Sequence, residues 1–151
     1  MTASQLYWDD FAPGQVYAGQ SRTLDEAAFK GFAAITGDAH PIHYDREYAT
    51  KTRFGERVAH GLLVMSITAL GATPLSARLE ESMIAFVEQD GRFLKAVLIG
   101  ETVRTEFEVE SVRPSKSPTQ GVVRFAVRAL DAEGEPVLAG HHTYLLKRRN
   151  A

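Results

Sequence analysis

The stretch TGDAHPIHYD, which begins at Thr36, concentrates residue types that move protons. It holds the carboxylates of Asp38 and Asp45 and the imidazoles of His40 and His43, in a chain with five histidines. An aspartate and a histidine that meet at one point can transfer two protons in one reaction, because one can activate water while the other serves a carbon-bound proton. The proline after His40 disfavours helical backbone there, which predicts an extended loop whose two ends could curl together.

A second stretch, VAHGLLVMS, begins at Val58 and offers a group of another kind. Gly61 is predicted to open a helix, and the N–H groups of a first helical turn have no partner within the helix. They also lie at the positive end of the helix dipole. A substrate carbonyl docked against the Gly61 N–H would be polarised, and an enolate-like transition state would be stabilised. Because glycine has no side chain, the ligand oxygen could approach the backbone closely.

Helical patterns dominate the first half of the chain. Thr23 and Glu26 fit a capping box at a helix start. Apolar residues follow at helical spacing, and Gly37 is predicted to end this helix. Residues 45–52 predict a second, short helix with Asp45 as its N-cap.

A third, longer helix is predicted over residues 60–70. It lies in a segment, 58–77, that contains no Asp, Glu, Lys or Arg, and a run of that length raises the question of a membrane span. Pro74 would interrupt such a span, and several Ser, Thr and Gly residues dilute it. A helix that is apolar nearly all round but does not lie in a membrane is buried in protein. We therefore expect this helix in the core.

A period of two replaces the helical pattern in the second half. Between Val103 and Ser111, apolar or small residues alternate with charged ones, which indicates a strand with one wet face. His141 and His142 are adjacent on the last strand, so at most one of them points inward. The antiparallel sheet would cover the uncharged helix with its dry face, and we place no domain boundary within residues 1–151. The predicted strands are 84–89, 93–99, 103–111, 123–129 and 136–146, with turns at Asp90-Gly91 and Asp131 to Gly134.

Composition limits the classes of partner. A formal net charge of −2 argues against nucleic acid as the main partner. The chain has no cysteine, which excludes a disulfide, a thiolate nucleophile and a thiolate metal site. The N-terminal residues lack the basic start and apolar run of a secretory signal. We therefore expect a cytoplasmic protein with no membrane span.

The two polar stretches together resemble a known motif. GDAHPIHYD, followed by Phe54, VAHGL and Ser66, is similar to the hydratase-2 motif of MaoC-like dehydratases and (R)-specific enoyl-CoA hydratases, which runs roughly Asp-x-Asn-Pro-x-His and later His-Gly entering a helix. FLKAVLIGETV, from Phe93, and YWDDFAPGQ, from Tyr7, are similar to other segments of the family, so the resemblance covers most of the chain. His40 departs from the pattern because it stands where the family has Asn.

The resemblance implies a fold and an activity. The fold is the hot-dog fold of the α+β class, an antiparallel β-sheet wrapped around a long central α-helix. The activity is the reversible syn addition of water to a trans-2-enoyl-CoA, which gives an (R)-3-hydroxyacyl thioester. No cofactor or metal is implied, and the partners are an acyl-CoA substrate and a second copy of the chain in at least a homodimer.

The resemblance also assigns residues by motif position. Asp38 and His43 match the catalytic pair, and the N–H of Gly61 matches the donor to the thioester oxygen. Ser66 matches a helix residue near the pocket. His40 and His60 are further candidates for substrate contact, although loop support at His40 and capping or packing at His60 are the simpler interpretations.

Other interpretations stay open on the sequence alone. Asp38 and His43 could be an Asx turn and a hydrogen-bonded loop histidine. The chain could be a hot-dog protein that binds acyl-CoA without catalysis, a subunit without activity, or a thioesterase. Residue types suited to zinc or iron allow a metal-dependent lyase or hydrolase with the ligands Asp38, His40, His43, Asp45 and His60. The acyl chain of a substrate is not predicted.

Overall fold

Five strands and five helices form the structure, a computed structural model that describes residues 3–150. Short 3₁₀ helices lie at Trp8–Asp10 and Leu70–Ala72. In chain order the elements are β1 (Val16–Thr23), α1 (Glu26–Thr36), α2 (Pro41–Tyr44), α3 (Arg46–Thr50), α4 (Gly61–Ser66), α5 (Leu75–Arg78), β2 (Met83–Phe93), β3 (Thr102–Pro114), β4 (Gln120–Leu130) and β5 (Pro136–Lys147).

The strands form one sheet in the order β1-β3-β4-β5-β2, and every pair is antiparallel. The predicted alternation is present, since Val103, Phe107 and Val109 on β3 are buried while their neighbours are not. The predicted turn before β5 is also present, because the Asp131 carboxylate accepts hydrogen bonds from the backbone N–H groups of Glu133 and Glu135. The sheet therefore has one dry face, as expected.

The dry face of the sheet covers α4, the helix that the uncharged segment forms. Leu63 and Val64 are buried with Val97 and Leu138 in one of two core clusters. The helix ends at Ser66 rather than near residue 70, because the next N–H groups bond three residues back and the Thr68 hydroxyl donates to the Met65 carbonyl. No helix within residues 3–150 has the length and apolarity that a membrane crossing requires.

The first half contains a strand that the sequence analysis does not predict. β1 is an edge strand with mostly exposed residues, so it lacks the apolar alternation by which strands are recognised. Thr23 is its last residue, and its hydroxyl meets that of Thr102 on β3. The capping-box prediction is therefore wrong: Asp25 is the N-cap of α1 and accepts from the Ala28 N–H, while Glu26 forms an ion pair with Arg57.

The strand predicted at 93–99 is also wrong. β2 continues through Asp90 and Gly91 to Phe93 and pairs with β5 along its length. A Cβ at Gly91 would lie 2.7 Å from the Cε of Met65 on α4, so a larger residue there would require the end of that flexible side chain to move. Beyond β2 the chain leaves the sheet, and Leu98 forms only an isolated bridge to Val58.

Candidate active site

His43 lies on α2, a single helical turn that follows the four-residue loop after α1. The loop begins at Gly37, which ends α1 in the left-handed conformation with φ 76°. His40 is the N-cap of α2, since its Nδ1 accepts a hydrogen bond from the Ile42 N–H at 3.2 Å. Pro41 takes the first helical position, where its missing N–H costs nothing. The predicted extended loop is thus shorter than expected and ends at His40.

The His43 ring has a defined hydrogen position. Its Nδ1 lies 2.6 Å from the carbonyl oxygen of Val58. A carbonyl can only accept, so Nδ1 carries the hydrogen, and in the neutral ring Nε2 carries the lone pair. His43 can therefore take up a proton at Nε2 alone.

His60 backs the His43 ring. The two imidazoles are stacked, with 3.8 Å between their centroids, and the Phe32 ring packs on His60 at 4.5 Å. Only 2% of His60 is exposed. Burial, followed by the proximity of His43, lowers the pKa of His60, so this ring is held neutral.

Asp38 lies in the loop that joins α1 to α2, with its side chain exposed. Its N–H donates to the Thr36 hydroxyl, and its carbonyl lies 3.2 Å from both the Tyr44 hydroxyl and the His60 Nε2. One donor atom from each of Asp38, His43 and His60 can be chosen so that the three atoms lie within 4.8 Å of one another. The two residues predicted to form an acid–base pair are therefore brought to one point.

Tyr44 is a member of this cluster that the sequence analysis missed. Its hydroxyl contacts the Phe29 carbonyl at 2.8 Å, the Asp38 carbonyl at 3.2 Å and the His60 Nε2 at 2.8 Å. Two of these partners are main-chain carbonyls, which every residue has, so no side-chain pattern marks the contact. The only available signal is its position directly after His43.

Gly61 opens α4 directly after His60, as predicted. No side chain among the described residues caps this helix, so the first-turn N–H groups keep the donor capacity expected of them. A Cβ on Gly61 would lie 3.1 Å from the Phe93 ring, so a larger residue would require that exposed ring to shift by a few tenths of an ångström. A cavity of about 290 Å³ lies beside it, and its lining includes Arg53, Phe54, Gly61, Phe93 and Lys95.

Ser66 lies away from this cluster. It ends α4, about 7.5 Å along the axis from Gly61 at 1.5 Å per residue. Its hydroxyl donates to the Leu63 carbonyl at 2.7 Å, as in a packing role. The residue lines a different cavity of about 260 Å³, together with Phe86 and His142.

The remaining polar candidates have structural partners. Asp45 caps α3 as predicted, because its carboxylate accepts from the Tyr48 N–H at 3.0 Å. His142 points into the core, and burial lowers its pKa to about 4. His141 points the other way, toward Asp90 on the outer face of the sheet. The prediction that at most one of these two histidines points inward is confirmed.

Each residue of the metal interpretation has one donor atom committed to a protein group. His40 Nδ1 caps α2, and the Asp45 carboxylate caps α3. His43 Nδ1 donates to a carbonyl, and His60 Nε2 contacts the Tyr44 hydroxyl while its Nδ1 is buried. Each of the five also keeps one uncommitted donor atom within residues 3–150, but the group whose donor atoms all lie within 4.8 Å of one another there is Asp38, His43 and His60.

Comparison with known proteins places this geometry in a family. Residues 10–129 match the family described as MaoC like domain. The chain belongs to the MaoC-like domain family. The resemblance stated from the motif is thereby confirmed, and so is the hot-dog fold, since the solved structures that superpose on the chain include hot-dog proteins.

Relatives within the MaoC-like family carry names of water-adding and water-removing enzymes. An (R)-specific enoyl-CoA hydratase from Rhodospirillum rubrum is 30% identical over 152 aligned positions, which cover 99% of each chain. A 3-hydroxybutyryl-CoA dehydratase from Methylorubrum extorquens is 32% identical over 111 positions, which cover 74% of this chain and 68% of that protein. These names support a hydro-lyase kind of activity for the MaoC-like chain.

A solved structure matches the whole MaoC-like chain more closely still. The protein, described as a monoamine oxidase regulatory protein from Archaeoglobus fulgidus, superposes with a TM-score of 0.90 and is 33% identical. The match covers 99% of each chain. Its description names no reaction, so the case for a particular activity has to come from the site.

Proposed function

We propose that this chain is an (R)-specific enoyl-CoA hydratase that also works in reverse as a 3-hydroxyacyl-CoA dehydratase. The observation that carries the proposal is the convergence of the Asp38 carboxylate with a His43 ring whose Nε2 has no protein partner among the described residues. The family supports the chemistry, because its named relatives add or remove water. Asp38 and His43 would form the acid–base pair, and the reaction would need no cofactor.

The proposed hydration moves two protons on one face of the substrate. One member of the pair takes a proton from water as the water oxygen attacks Cβ, and the other delivers a proton to Cα. The pair therefore starts the step with one transferable proton and ends it with one, on the other group. His43 would take part through Nε2 only, because its Nδ1 hydrogen is held by the Val58 carbonyl. The geometry does not favour either order, and coupled groups can share the proton.

The proposed electrophilic contact is the N–H of Gly61. A donor aimed at the thioester oxygen would stabilise the negative charge that develops as Cβ is attacked. Because α4 has only six residues, we assign this role to the unpaired N–H and the bare glycine surface rather than to the helix dipole. The lining of the adjoining cavity includes the exposed Arg53, and a guanidinium suits the phosphates of coenzyme A.

We also propose that the chain is a homodimer joined through β2. This edge strand has an unpaired backbone edge and exposes Phe86 and Val87, and Phe93 and Leu94 continue the apolar surface at its end. Such edges are aggregation hazards unless another chain covers them. Light scattering at micromolar concentration should give twice the monomer mass, and a monomer would count against the dimer.

The experiment that tests the activity is a panel of thioesters. Purified protein would be mixed with short, branched and carboxylated trans-2-enoyl-CoA and 3-hydroxyacyl-CoA compounds, and the conjugated enoyl absorbance followed. We expect hydration of at least one compound, with an (R)-3-hydroxyacyl product on chiral separation. Thiol release without change in the enoyl group would instead identify a thioesterase. Binding without either reaction would identify a non-catalytic acyl-CoA protein.

A further inference from the structure

The Tyr44 hydroxyl joins three separate segments of the chain. It reaches the Phe29 carbonyl on α1, the Asp38 carbonyl in the following loop and the His60 Nε2 at the entrance to α4. Burial is the main reason that the pKa of Tyr44 is raised, so the phenol keeps its hydrogen. A neutral phenol donates one hydrogen bond and accepts others.

Counting hydrogens decides the state of His60. If Tyr44 donated to the His60 Nε2, that lone pair would face the Asp38 carbonyl at 3.2 Å, and the phenol oxygen would face the Phe29 carbonyl at 2.8 Å. Both would be contacts between two acceptors. With the hydrogen on the His60 Nε2 and the phenol donating to Phe29, three of the four contacts join a donor to an acceptor, and only the 3.2 Å contact between the Tyr44 and Asp38 oxygens does not, whereas the other arrangement satisfies only one. His60 is therefore the Nε2–H tautomer, the opposite of His43.

His60 touches both members of the proposed pair through different parts of its ring. Its Nε2–H lies within hydrogen-bond distance of the Asp38 carbonyl, and its face stacks on His43 with 26° between the planes. The Val58 carbonyl fixes the rotation of the His43 ring, and His60 fixes its plane. One buried ring thus sets where the carboxylate-bearing loop and the imidazole lie relative to each other.

The Nδ1 atom of His60 is a buried polar atom that lacks a hydrogen bond among the described residues. Buried polar atoms without a partner are rare and costly, and such an atom needs a physical reason. Here the contacts that orient the ring are made by its Nε2–H and its stacked face, and Nδ1 carries the lone pair that is left without a partner among the described residues.

We propose that Tyr44 and His60 are the positioning residues of the Asp38–His43 pair and take no part in proton transfer. Tyr44 fixes the tautomer and rotation of His60, and His60 then holds the Asp38 main chain and the plane of His43. The catalytic consequence rests on the proposed hydratase function, whereas the tautomer and the orientation do not.

The first arm of the test uses no activity. In the native protein, nitrogen NMR of the histidine side chains at pH 8 should find His60 neutral and with its hydrogen on Nε2. In Tyr44→Phe the phenol acceptor is lost and the Asp38 carbonyl alone remains for the Nε2–H, so His60 should become a mixture of tautomers. Finding the native His60 hydrogen on Nδ1 would overturn the proposal, even if no variant folded.

The second arm uses turnover of whichever enoyl-CoA the native protein hydrates. Tyr44→Phe should lower kcat by about 10- to 100-fold, the range that small misplacement of reacting groups costs. KM should change little, because neither residue is placed at the substrate. His60→Gln, which keeps an amide donor but loses the stacked face, should show the same kcat loss with an altered pH profile.

Tyr48→Phe is the matched control. Tyr48 lies on α3 with 43% of its surface exposed, and its hydroxyl forms no hydrogen bond with the described residues. This variant should keep native kcat and the native histidine spectrum. Native kcat and a native pH profile in Tyr44→Phe would overturn the proposal, whereas no turnover by the native protein with the expected spectrum would overturn the hydratase function alone.

Discussion

Two aspartate–histidine pairs in this chain have opposite surroundings. On the outer face of the sheet, His141 places Nδ1 3.0 Å from the Asp90 carboxylate and Nε2 3.2 Å from that of Glu110. Both nitrogens therefore face negative charge. In the inner pair, the Nδ1–H of His43 donates to a neutral carbonyl, Nε2 has no partner among the described residues, and a donor atom of the ring lies within 4.8 Å of an Asp38 carboxylate oxygen.

The neighbours of each pair extend the contrast. Arg124 donates to Glu110 at 2.8 Å and lies 3.6 Å from Asp90, so the outer pair belongs to a network of compensated charges across four strands. The inner pair is backed by the neutral rings of His60 and Phe32. Closeness of an aspartate to a histidine thus does not mark an acid–base site. An acid–base site is marked instead by a histidine with one nitrogen held by a hydrogen bond and a free lone pair on the other nitrogen.

Removing the Asp38 carboxylate or the His43 imidazole of the inner pair should lower kcat more than any other change. Asp38→Asn and His43→Asn each remove a proton carrier, and we expect each to lower kcat by ~10²–10⁴-fold. The double variant should be far less impaired than the product of the two losses, because the groups act as a unit. Stopped-flow or steady-state hydration of an enoyl-CoA would measure all three.

Folding and thioester binding provide the control for this prediction. Both single variants should keep the native circular dichroism spectrum and bind the 3-hydroxyacyl-CoA product with little change. Near-native turnover in either variant, on a substrate that the native protein hydrates, would sink the proposed mechanism.

Loss of the His40 cap of α2 should lower kcat by a smaller factor. His40 holds the first turn that carries His43 by accepting from the Ile42 N–H. Loss of such a cap costs about 0.5–2 kcal/mol of local stability, so His40→Ala should lower kcat several-fold and loosen the His43 ring. His40→Asn places a good cap there and restores the family residue, so it should keep substantial activity. Equal losses in both variants would point to a direct role of the imidazole.

Substitution of either residue of the outer pair, Asp90 or His141, should change activity and stability only slightly. Asp90→Asn and His141→Asn should leave kcat unchanged and cost at most about 0.5 kcal/mol, since half-exposed ion pairs are strongly screened. The hydrogen bond from His141 is the main cause of the lowered pKa of Asp90. The contact therefore stabilises the fold above the ordinary aspartate pKa of 3.8 and is lost as the pH falls below it. Urea unfolding at pH 7 and pH 3 would measure the difference.

Chelation of metal ions should not change the rate of enoyl-CoA hydration. The proposed route uses only protein groups, and one donor atom of each candidate metal ligand is committed to a hydrogen bond. Incubation with EDTA should leave enoyl-CoA hydration unchanged. If activity disappeared and zinc or iron restored it, the metal interpretation would replace the acid–base one.

The sequence by itself determined the elements whose signal is local. The alternation of β3, the turn at Asp131 and the cap of α3 at Asp45 are all present, because side-chain period and capping depend on near neighbours. The motif also indicated Asp38, His43 and Gly61 as a group, together with the family. The edge strand β1 was missed for the same reason, since its exposed residues carry no alternating pattern.

Only the tertiary structure decided which atoms of the site are free. The lone pair of His43 is assigned by a carbonyl 15 residues away at Val58, and the state of His60 by a phenol 16 residues away at Tyr44. Glu26 is a third case: it was predicted to belong to a capping box, and in the structure it accepts a hydrogen bond from Arg57, 31 residues along the chain. Main-chain carbonyls look alike in any sequence, so which of them meets a given side chain is set by how the loop and helices pack against the sheet.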